Sequence, residues 1–437
     1  MQLTIHRGTH QIGGTCIEID DGATRLILDV GSPLDADLGD KSMETVKKYL
    51  PKVKGLFKND PNKIPAIVLI SHSHPDHTAF LDYLHKGIDV YMSKTTYEII
   101  KLLDVLLKWR GQPTIKTAII EGNHKIKHRE LVLGDFTIKS YDVDHSAPGA
   151  LAFVITHKKE KKTIVYTGDI RAHGKKGPLF DMFIKDCPKK PDILLMEGTM
   201  VGGVRDGAEE TEKELELRIA AELKRQGKPV LTNFSLTNGD RIITLLNACI
   251  RAKYEFIIDL PTAIIYERFR HLGWKLKPIT EMPIKVFYLK GHEKALDRNK
   301  ELDIRNLLCK QEIQLKDVFK SNKRLVLFKE GQLHYFKDEA NVPEELLLMM
   351  SKWWEKPYPG QEESYESYMQ FIKEKHLGLN KTFHVSGHAY TKDLKHLAES
   401  INPRILLPVH TESPEKFELL LDNINVKVLE DNEALDV

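Results

Sequence analysis

The sequence has few cysteines, no long apolar run and almost no net charge. Its 437 residues include four cysteines, which lie too far apart to form a zinc knuckle or a disulfide framework: Cys16, Cys187, Cys249 and Cys309. No apolar run approaches the ~18–20 residues of a membrane helix, and the N-terminus lacks the basic and apolar regions of a secretory signal. We therefore expect a cytoplasmic protein without membrane partners. The 65 Lys and Arg residues nearly balance the 63 Asp and Glu residues, and a net charge of +2 argues against non-specific coating of nucleic acid.

Hydrophobic residues make up 41% of the chain, and its length suggests two to three domains of roughly 100–200 residues each. Residues 1–198 alternate short strand signals with helical patterns at 43–50 and 94–109, which is typical of an α/β or layered core. The run Ala66-Ile67-Val68-Leu69-Ile70 is wholly apolar, as expected of a strand buried on both faces. The other strands predicted in this part are 16–19, 25–30, 88–92, 136–141, 150–156, 163–167 and 193–196.

A second pattern of alternating strands and helices follows, and it favours a mainly parallel α/β unit. We predict helices at 209–225, 241–251 and 361–375, and strands at 229–234 and 256–260. The last part of the chain returns to short strands around one helix. We predict these strands at 382–385, 405–409 and 426–429, and the helix at 392–400. The sequence therefore predicts a core that is interrupted by a large insertion.

The most informative stretch is Ser71-His72-Ser73-His74-Pro75-Asp76-His77, which directly follows the apolar strand 66–70. Imidazoles and carboxylates at such close spacing are ligands that borderline-soft divalent metals prefer. His72 and His74 lie on the same side of an extended segment, and the Asp76-His77 pair can face a second ion. A polar loop with exposed histidines is the alternative. The position after a buried strand, with Pro75 stiffening the turn, favours the metal site.

Three further ligand candidates follow other predicted strands. His145 follows the strand 136–141, Asp169 follows 163–167, and His410 follows 405–409. Each of them alone is more typical of an ordinary loop residue. Together they repeat one arrangement, in which a strand ends in a loop that carries a His or an Asp. Two ions held ~3.5–4 Å apart need a bridging carboxylate and two sets of nitrogen ligands, and this sequence supplies both.

These motifs resemble those of a known family. The H-x-H-x-D-H motif, together with an aspartate and histidines after later strands, is similar to the metallo-β-lactamase fold. Glu197 in Glu-Gly-Thr, His388 in His-Val-Ser-Gly-His-Ala and His410 in Pro-Val-His-Thr-Glu resemble the three extra motifs of its β-CASP nuclease branch. Within this branch, the last two motifs most resemble those of ribonuclease J and related RNA-processing nucleases.

The resemblance covers essentially the whole chain and implies its fold class. That class is α/β: a metallo-β-lactamase αββα sandwich with an inserted α/β β-CASP domain. The implied bounds are 1–198 for the first part of the metallo-β-lactamase domain, 199–378 for the β-CASP domain and 379–437 for the C-terminal part. Because the sequence stops shortly after its last metal motif, we do not expect the C-terminal domain of ribonuclease J. We likewise expect no leading KH region, which the archaeal relatives carry.

The resemblance also implies how the ligands divide between two divalent ions. One ion is expected at His72, His74 and His145, and the other at Asp76, His77 and His410, with Asp169 as the bridge. Zinc is the expected metal, and manganese is the alternative. Asp29, after the second predicted strand, resembles the carboxylate that orients a ligand histidine. The alternative is that Asp29 caps the turn before Gly31.

Two close divalent ions without redox ligands suit hydrolysis. The resemblance implies that Asp76 orients or deprotonates the attacking water. It also implies that His388 protonates the leaving alkoxide while Glu197 holds the other ring nitrogen. In the alternative interpretation, Glu197 caps the next helix and His388 is an ordinary loop histidine.

The loop His384-Val385-Ser386-Gly387 precedes a predicted helix at 390–400. Small residues at a helix start form a natural phosphate site. By similarity to ribonuclease J, we expect His384, Ser386 and Gly387 to bind a backbone phosphate or a terminal 5′ phosphate. Weaker candidates for the same groove follow the strand 229–234: Asn233, Ser235 and Asn238. These three are equally typical of turn-forming and capping residues.

The function expected from the resemblance is a two-metal ribonuclease that hydrolyses single-stranded RNA, chiefly from the 5′ end, with endonuclease activity left open. A DNA nuclease of the crosslink-repair type is one alternative, but that branch typically carries Val where His410 stands. A small-molecule hydrolase would have no use for the insertion. A catalytically silent scaffold subunit of a processing complex is recognised by missing ligands, and none is missing here. A homodimer is left open by the sequence.

Overall fold

The computed structural model describes residues 1–107, 117–119, 130–203, 209–298, 300, 303–351, 357 and 359–437. The described residues form two compact units. The first contains those of 1–100, 111–209 and 387–437, and the second contains those of 101–110 and 210–386. The longer segment of the second unit, 210–386, begins and ends later in the chain than the expected insertion at 199–378. Among the described residues, no helix is long and apolar enough to span a bilayer.

The first unit contains two β-sheets. One has seven strands in the order β19-β1-β2-β3-β4-β5-β6, and the other has six in the order β18-β11-β10-β9-β8-β7. The seven strands are β1 Gln2–Arg7, β2 Cys16–Asp20, β3 Arg25–Leu28, β4 Ile67–Leu69, β5 Asp89–Met92, β6 Thr117–Ile119 and β19 Glu433–Asp436. The six strands are β7 Leu131–Leu133, β8 Phe136–Asp142, β9 Leu151–His157, β10 Lys162–Tyr166, β11 Ile193–Glu197 and β18 Ile405–Val409.

Side chains that alternate along the strands build the core between the two sheets. Ile17 and Ile19 of β2 pack in one buried cluster with Phe153 and Ile155 of β9. Ile27 of β3 points to the opposite face of its sheet, since successive strand residues alternate. Both faces of each sheet are therefore covered by apolar groups.

Helices cover the outer faces of the two sheets. The helices of the first unit are α1 Met43–Val46, α2 Pro75–Thr78, α3 Lys94–Leu107 (from 101 on grouped with the second unit), α4 Pro178–Asp186, α12 Thr391–Ile401 and α13 Lys416–Leu420. Phe183 of α4 and Leu397 of α12 pack against Val165 and Leu194 on the outer face of the six-stranded sheet. The expected αββα sandwich is confirmed. The last two residues of the predicted helix 94–109 lie outside the described residues.

The second unit is built on a third sheet, whose six strands are all parallel in the order β14-β13-β15-β12-β16-β17. Its strands are β12 Val230–Asn233, β13 Glu255–Asp259, β14 Ile284–Phe287, β15 Arg324–Leu327, β16 Leu347–Met350 and β17 Gly378–Asn380. Its helices are α5 Glu212–Gln226, α6 Gly239–Ala252, α7 Leu260–His271, α8 Lys290–Arg298, α9 Arg305–Leu308, α10 Leu333–Glu339 and α11 Glu362–Glu374. Parallel strands separated by helices confirm the inserted α/β domain.

Two predicted strands near the C-terminus are wrong. The segment 382–385 is not a strand, because arginine side chains bind its carbonyl groups in place of a neighbouring strand. The edge strand of the third sheet lies earlier, at 378–380. The segment 426–429 forms only one isolated bridge, between Val426 and Leu406, although Leu429 is buried in the core.

Candidate metal centre

The candidate ligands of the first unit follow the C-terminal ends of its strands. Strands β10, β11 and β18 are parallel neighbours, so Asp169, Glu197 and His410 emerge at the same sheet edge. In the other sheet, β3 and β4 are also parallel, and Asp29 and His72 follow their ends. Since parallel strands deliver their C-terminal ends to one edge, residues that are distant in sequence converge there.

A short helix sets the direction of the next two ligands. Pro75 occupies the first position of α2, where its missing N–H costs nothing, and Asp76 and His77 lie in the first turn. The backbone of this turn lies directly against Gly31. A Cβ atom at Gly31 would lie 1.5 Å from the carbonyl oxygen of Asp76, so only glycine allows this approach.

Two groups of side chains converge on points that suit a cation. The first donor group consists of His72, His74, His145 and Asp169, and the second consists of Asp76, His77, Asp169 and His410. Within each group, one ligand atom per residue lies within 4.8 Å of all the others. The structure therefore brings together all seven ligands proposed from the sequence, and Asp169 belongs to both groups.

The ring nitrogens of the first donor group lie close to one another. Nδ1 of His74 lies 3.1 Å from Nε2 of His72 and 3.2 Å from Nε2 of His145. Oδ2 of Asp169 lies 3.5 Å from Nε2 of His72. Three imidazoles and one carboxylate that face a common point form a donor set typical of zinc and related divalent metals.

The second donor group contains buried atoms that lack a hydrogen bond. Nε2 of His77 and Oδ2 of Asp169 lie 3.2 Å apart, yet neither has a hydrogen-bond partner among the described residues. Nε2 of His410 lies 3.1 Å from Oδ2 of Asp76. Because a buried polar atom without a partner is costly, these atoms fit the coordination of a metal ion better than an ion-free core.

Burial and neighbouring charge set the protonation of the imidazoles. Burial lowers the pKa of His72 and His145 well below the usual range, and lowers the pKa of His74 to about 4. These three rings are therefore neutral, as metal coordination requires. Burial also lowers the pKa of His77, but the carboxylates of Asp169 and Asp29 outweigh it and raise that pKa well above its usual value.

The carboxylates of the centre stay ionised. Burial acts to raise the pKa of Asp76, but His77 and His410 outweigh it and hold that pKa well below the usual range. Burial acts in the same direction on Asp169, and its neighbouring histidines again hold the pKa well below the usual value. The anionic carboxylates of Asp76 and Asp169, together with the neutral rings of His72, His74 and His145, attract a divalent cation.

Asp29 orients one of the ligand rings. Its carboxylate is fully buried and accepts a hydrogen bond of 2.8 Å from Nδ1–H of His77, which leaves Nε2 of that ring for the metal. The same carboxylate accepts hydrogen bonds from the Ser71 backbone N–H, the Ser71 hydroxyl and the Tyr166 hydroxyl, at 2.7, 2.7 and 2.6 Å. This geometry is that of an orienting carboxylate rather than of a turn cap.

His388 and Glu197 form a pair next to the second donor group. Nδ1 of His388 lies 3.2 Å from both carboxylate oxygens of Glu197. Those oxygens also accept hydrogen bonds of 3.1 Å from the backbone N–H groups of Ile170 and Thr199. Burial lowers the pKa of His388, but Glu197 and Asp169 outweigh it and raise that pKa to about 9.

The predicted phosphate-binding residues fall in different units. His384 and Ser386 belong to the second unit, and Gly387 belongs to the first. Gly387 packs closely beside a ligand, because a Cβ atom there would lie 2.6 Å from Oγ of Ser146 and 3.5 Å from Cε1 of His145. Its lack of a side chain is therefore explained by packing in the first unit.

Asn233 and Asn238, two of the weaker candidates for phosphate binding, make hydrogen bonds within the second unit. The side chain of Asn238 caps α6 by accepting a hydrogen bond from the Arg241 backbone N–H. The amide of Asn233 donates to Glu330 and Tyr368. The capping interpretation therefore holds for Asn238, and Asn233 is engaged within its own unit.

Two residues of the centre were missed from the sequence. Tyr166 binds Asp29, as described above, and Oγ1 of Thr199 lies 3.1 Å from Nδ1 of His388 and 2.9 Å from Nδ1 of His410. A buried tyrosine at the end of an apolar strand needs a partner for its hydroxyl, and this was a usable signal for Tyr166. Thr199 offered no such signal, because its partners lie 189 and 211 residues away.

Two protein families match the chain. The family described as a beta-lactamase superfamily domain matches residues 50–207, which contain most of the ligands. This match confirms the resemblance to the metallo-β-lactamase fold that the sequence motifs implied. A second family, described as a Zn-dependent metallo-hydrolase RNA specificity domain, matches residues 377–428, which contain His388 and His410. Both matches agree with the αββα sandwich.

Curated relatives of this chain carry ribonuclease names. The probable RNase MJ4 of Methanocaldococcus jannaschii is 23% identical, over 94% of this chain and 93% of the relative. Ribonuclease J of Sinorhizobium meliloti is 22% identical, over 79% of this chain and 57% of the relative. The chain thus spans little more than half of this ribonuclease J. The expected resemblance to ribonuclease J-like proteins is confirmed.

A solved structure shares the whole fold. It is that of a protein of unknown function from Enterococcus faecalis V583, with a TM-score of 0.78 and 20% identity. The match covers 99% of both chains. The fold described here is therefore found in another protein of almost the same length.

Replacing Asp29 with Asn is expected to weaken metal binding about 10–100-fold, the usual cost of losing a group that orients a ligand histidine. The amide keeps the size of the side chain, but its NH₂ group faces the donors of His77 and Tyr166. Titration with a competing chelator measures the affinity. Asp20→Asn, which removes the same charge at the β2–β3 turn, is the matched control. An unchanged affinity in folded Asp29→Asn protein would contradict the orienting role.

Proposed function

We propose that the chain is a metal-dependent ribonuclease that hydrolyses phosphodiester bonds of single-stranded RNA, chiefly as a 5′-to-3′ exonuclease. The observation that carries this proposal is the pair Glu197–His388 beside two donor groups that share Asp169. A hydrolase of phosphodiesters needs sites for two oxygen-binding cations and a proton donor for the leaving oxygen. The centre has residues for each.

We propose the following roles for the residues that bind the metals and activate the water. The two donor groups hold two divalent ions, which we propose to be zinc, with manganese as the alternative. When bound, such ions lower the pKa of a water and stabilise the negative charge that develops on the phosphate oxygens. Asp76, whose Oδ2 faces His410, is placed to orient or deprotonate the water.

We propose that His388 protonates the leaving oxygen. Glu197 occupies its Nδ1, so Nε2 is the nitrogen that can donate a proton to a substrate. The backbone N–H groups of Ile170 and Thr199 fix the Glu197 carboxylate, which limits the rotation of the ring. The alternative interpretation required Glu197 to cap the next helix, but the next described helix, α5, is capped by Thr211.

Two observations favour RNA over other substrates, and a third argues against a silent scaffold subunit. One matched family is described by RNA specificity, and the relatives reported above carry ribonuclease names. His410 stands where DNA nucleases of the crosslink-repair type typically carry Val. All seven ligand positions carry a His or an Asp, whereas a silent scaffold subunit is recognised by missing ligands.

The proposed 5′ preference rests on His384, Ser386 and Gly387, which directly precede His388 in the chain.

Replacing His74 or Asp76 with Ala is expected to abolish hydrolysis and to leave the fold intact, because both side chains belong to the donor groups rather than to the apolar core. Turnover of end-labelled RNA, metal content and thermal unfolding are measured together. His10→Ala, at an exposed histidine of the same unit, is the control. Retained turnover in metal-replete His74→Ala protein would contradict the two-ion centre.

Replacing His388 with Ala is expected to keep the metal and to lower turnover by ~10²–10⁴-fold, the usual contribution of a general acid. His396→Ala, on α12, is the control. Metal analysis decides the outcome, because His388 also lies within 4.8 Å of Glu197 and His410 in a third cluster of possible ligands. Loss of metal from the variant would make His388 a ligand instead.

The 5′ direction predicts that linear RNA with a 5′ monophosphate is degraded faster than RNA with a 5′ triphosphate or hydroxyl. Each charge-assisted hydrogen bond to the terminal phosphate is worth ~1.5–3 kcal/mol. A triphosphate adds charge and bulk that a closed site does not accommodate. The three RNAs are compared with a circular RNA of the same sequence. Cleavage of the circle at the rate of the linear substrate would show that no end is needed.

A further inference from the structure

Two arginines of the second unit hold the segment that contains His384. Nη2 of Arg218 donates a hydrogen bond of 2.7 Å to the carbonyl of Thr382, and its guanidinium lies 4.7 Å from the ring centroid of Phe383. Arg241 binds the next carbonyls: Nη1 lies 3.5 Å from the oxygen of Phe383 and Nη2 lies 3.3 Å from that of Val385. The carbonyl groups of the predicted strand 382–385 therefore accept hydrogen bonds from arginine side chains instead of from a neighbouring strand.

Arg241 is itself rigidly held. It is fully buried, and its Nη2 donates to the Glu212 carboxylate at 2.9 Å. The other oxygen of Glu212 accepts a hydrogen bond of 2.7 Å from the Thr244 hydroxyl. Nη1 of Arg241 donates to the Ser351 carbonyl at 3.0 Å and to the Ser351 hydroxyl, which in turn donates to the carbonyl of Phe383 at 2.5 Å.

Peptide geometry turns these contacts into a constraint on two specific residues. In a planar trans peptide, the carbonyl of one residue and the N–H of the next point in opposite directions. Fixing the carbonyls of Phe383 and Val385 on Arg241 therefore fixes the N–H groups of His384 and Ser386 on the opposite side. These are two of the residues expected to bind the 5′ phosphate.

We propose that Arg241 is a positioning residue that sets the 5′-phosphate preference by orienting His384 and Ser386; this rests on the terminal-phosphate site of the proposed function. Glu212 neutralises the charge of Arg241, so the effect arises from orientation rather than from attraction of the phosphate. A general electrostatic role would change the salt dependence of RNA binding. A positioning role changes the discrimination between 5′ ends.

The test is Arg241→Lys, which keeps the charge but loses the planar fork that reaches Glu212, Ser351 and two carbonyls together. We expect the ratio of kcat/KM for 5′-monophosphorylated RNA to that for 5′-hydroxyl RNA to fall at least about tenfold, as for one misplaced charge-assisted hydrogen bond. Equilibrium binding of uridine 5′-monophosphate relative to uridine, measured on the metal-loaded protein, should fall in parallel. The salt dependence of RNA binding should stay the same.

A second variant covers the case in which Arg241→Lys does not fold. Ser351→Ala removes only the neutral hydroxyl link between Arg241 and Phe383, and should lower the same ratio about threefold. The matched control is Arg251→Lys, at a half-exposed arginine of α6 that pairs with Glu216. Thermal unfolding and metal content are recorded for all variants.

The outcomes separate this inference from the function on which it rests. A lower ratio in Arg241→Lys or Ser351→Ala, with an unchanged ratio in Arg251→Lys, supports the positioning role. Equal losses on both RNAs in folded Arg241→Lys and Ser351→Ala would show that the network is merely structural and would overturn the inference alone. A wild-type ratio near one would overturn the terminal-phosphate site, and the inference with it.

Discussion

The buried carboxylate of Asp169 is the constraint on which the centre depends. Its side chain is 2% exposed, and its oxygens lie within 4.0 Å of ring nitrogens of five histidines: His72, His77, His145, His388 and His410. An anion at this depth is stable only with compensating positive charge or coordinated metal. The five histidines therefore have to lie around Asp169, and the fold achieves this because several strands end near that point.

Backbone conformation makes this convergence possible. Gly168 has φ of +54°, and a Cβ atom on it would lie 2.8 Å from the carbonyl oxygen of Leu151. A residue with a side chain would move the loop that carries Asp169. Gly31, which follows β3 of the other sheet, likewise allows the backbone of Asp76 to approach closely. One glycine after a strand of each sheet thus allows close packing of the loops that carry Asp169 and Asp76.

The candidate metal ligands could be predicted because their signals are local. The closely spaced histidines after a buried strand, and single His or Asp residues after other strands, identify the ligand set without knowledge of tertiary contacts. The strand pattern likewise gave the two sheets and the parallel third sheet, since apolar runs and helical periodicity are properties of short windows. Asp29 was left with two interpretations, because only the structure shows that its partner is His77.

The features that the sequence analysis predicted wrongly or missed depend on contacts between distant residues. The segment 382–385 has the composition of a strand, but its carbonyls bind Arg218 and Arg241, which are 164 and 142–144 residues away. No local pattern encodes that choice. Thr199 was missed for the same reason. Tyr166 offered a local signal in its buried hydroxyl, but the partner of that hydroxyl, Asp29, lies 137 residues away in the sequence. Side-chain hydrogen bonds between distant residues decide these features, and the sequence of one chain does not show them.

His388, the proposed proton donor, and Asp169 are connected through the backbone. Ile170, which directly follows Asp169, donates its N–H to Glu197, and its carbonyl accepts a hydrogen bond of 2.7 Å from the N–H of Ala389, next to His388. One residue therefore fixes the position of the acid relative to Asp169. Catalytic groups must be placed within about 0.5 Å, and backbone hydrogen bonds meet that tolerance better than flexible side chains do. Because Ile170 links both groups, a shift of the Asp169 loop would carry Glu197 and His388 with it and preserve their geometry.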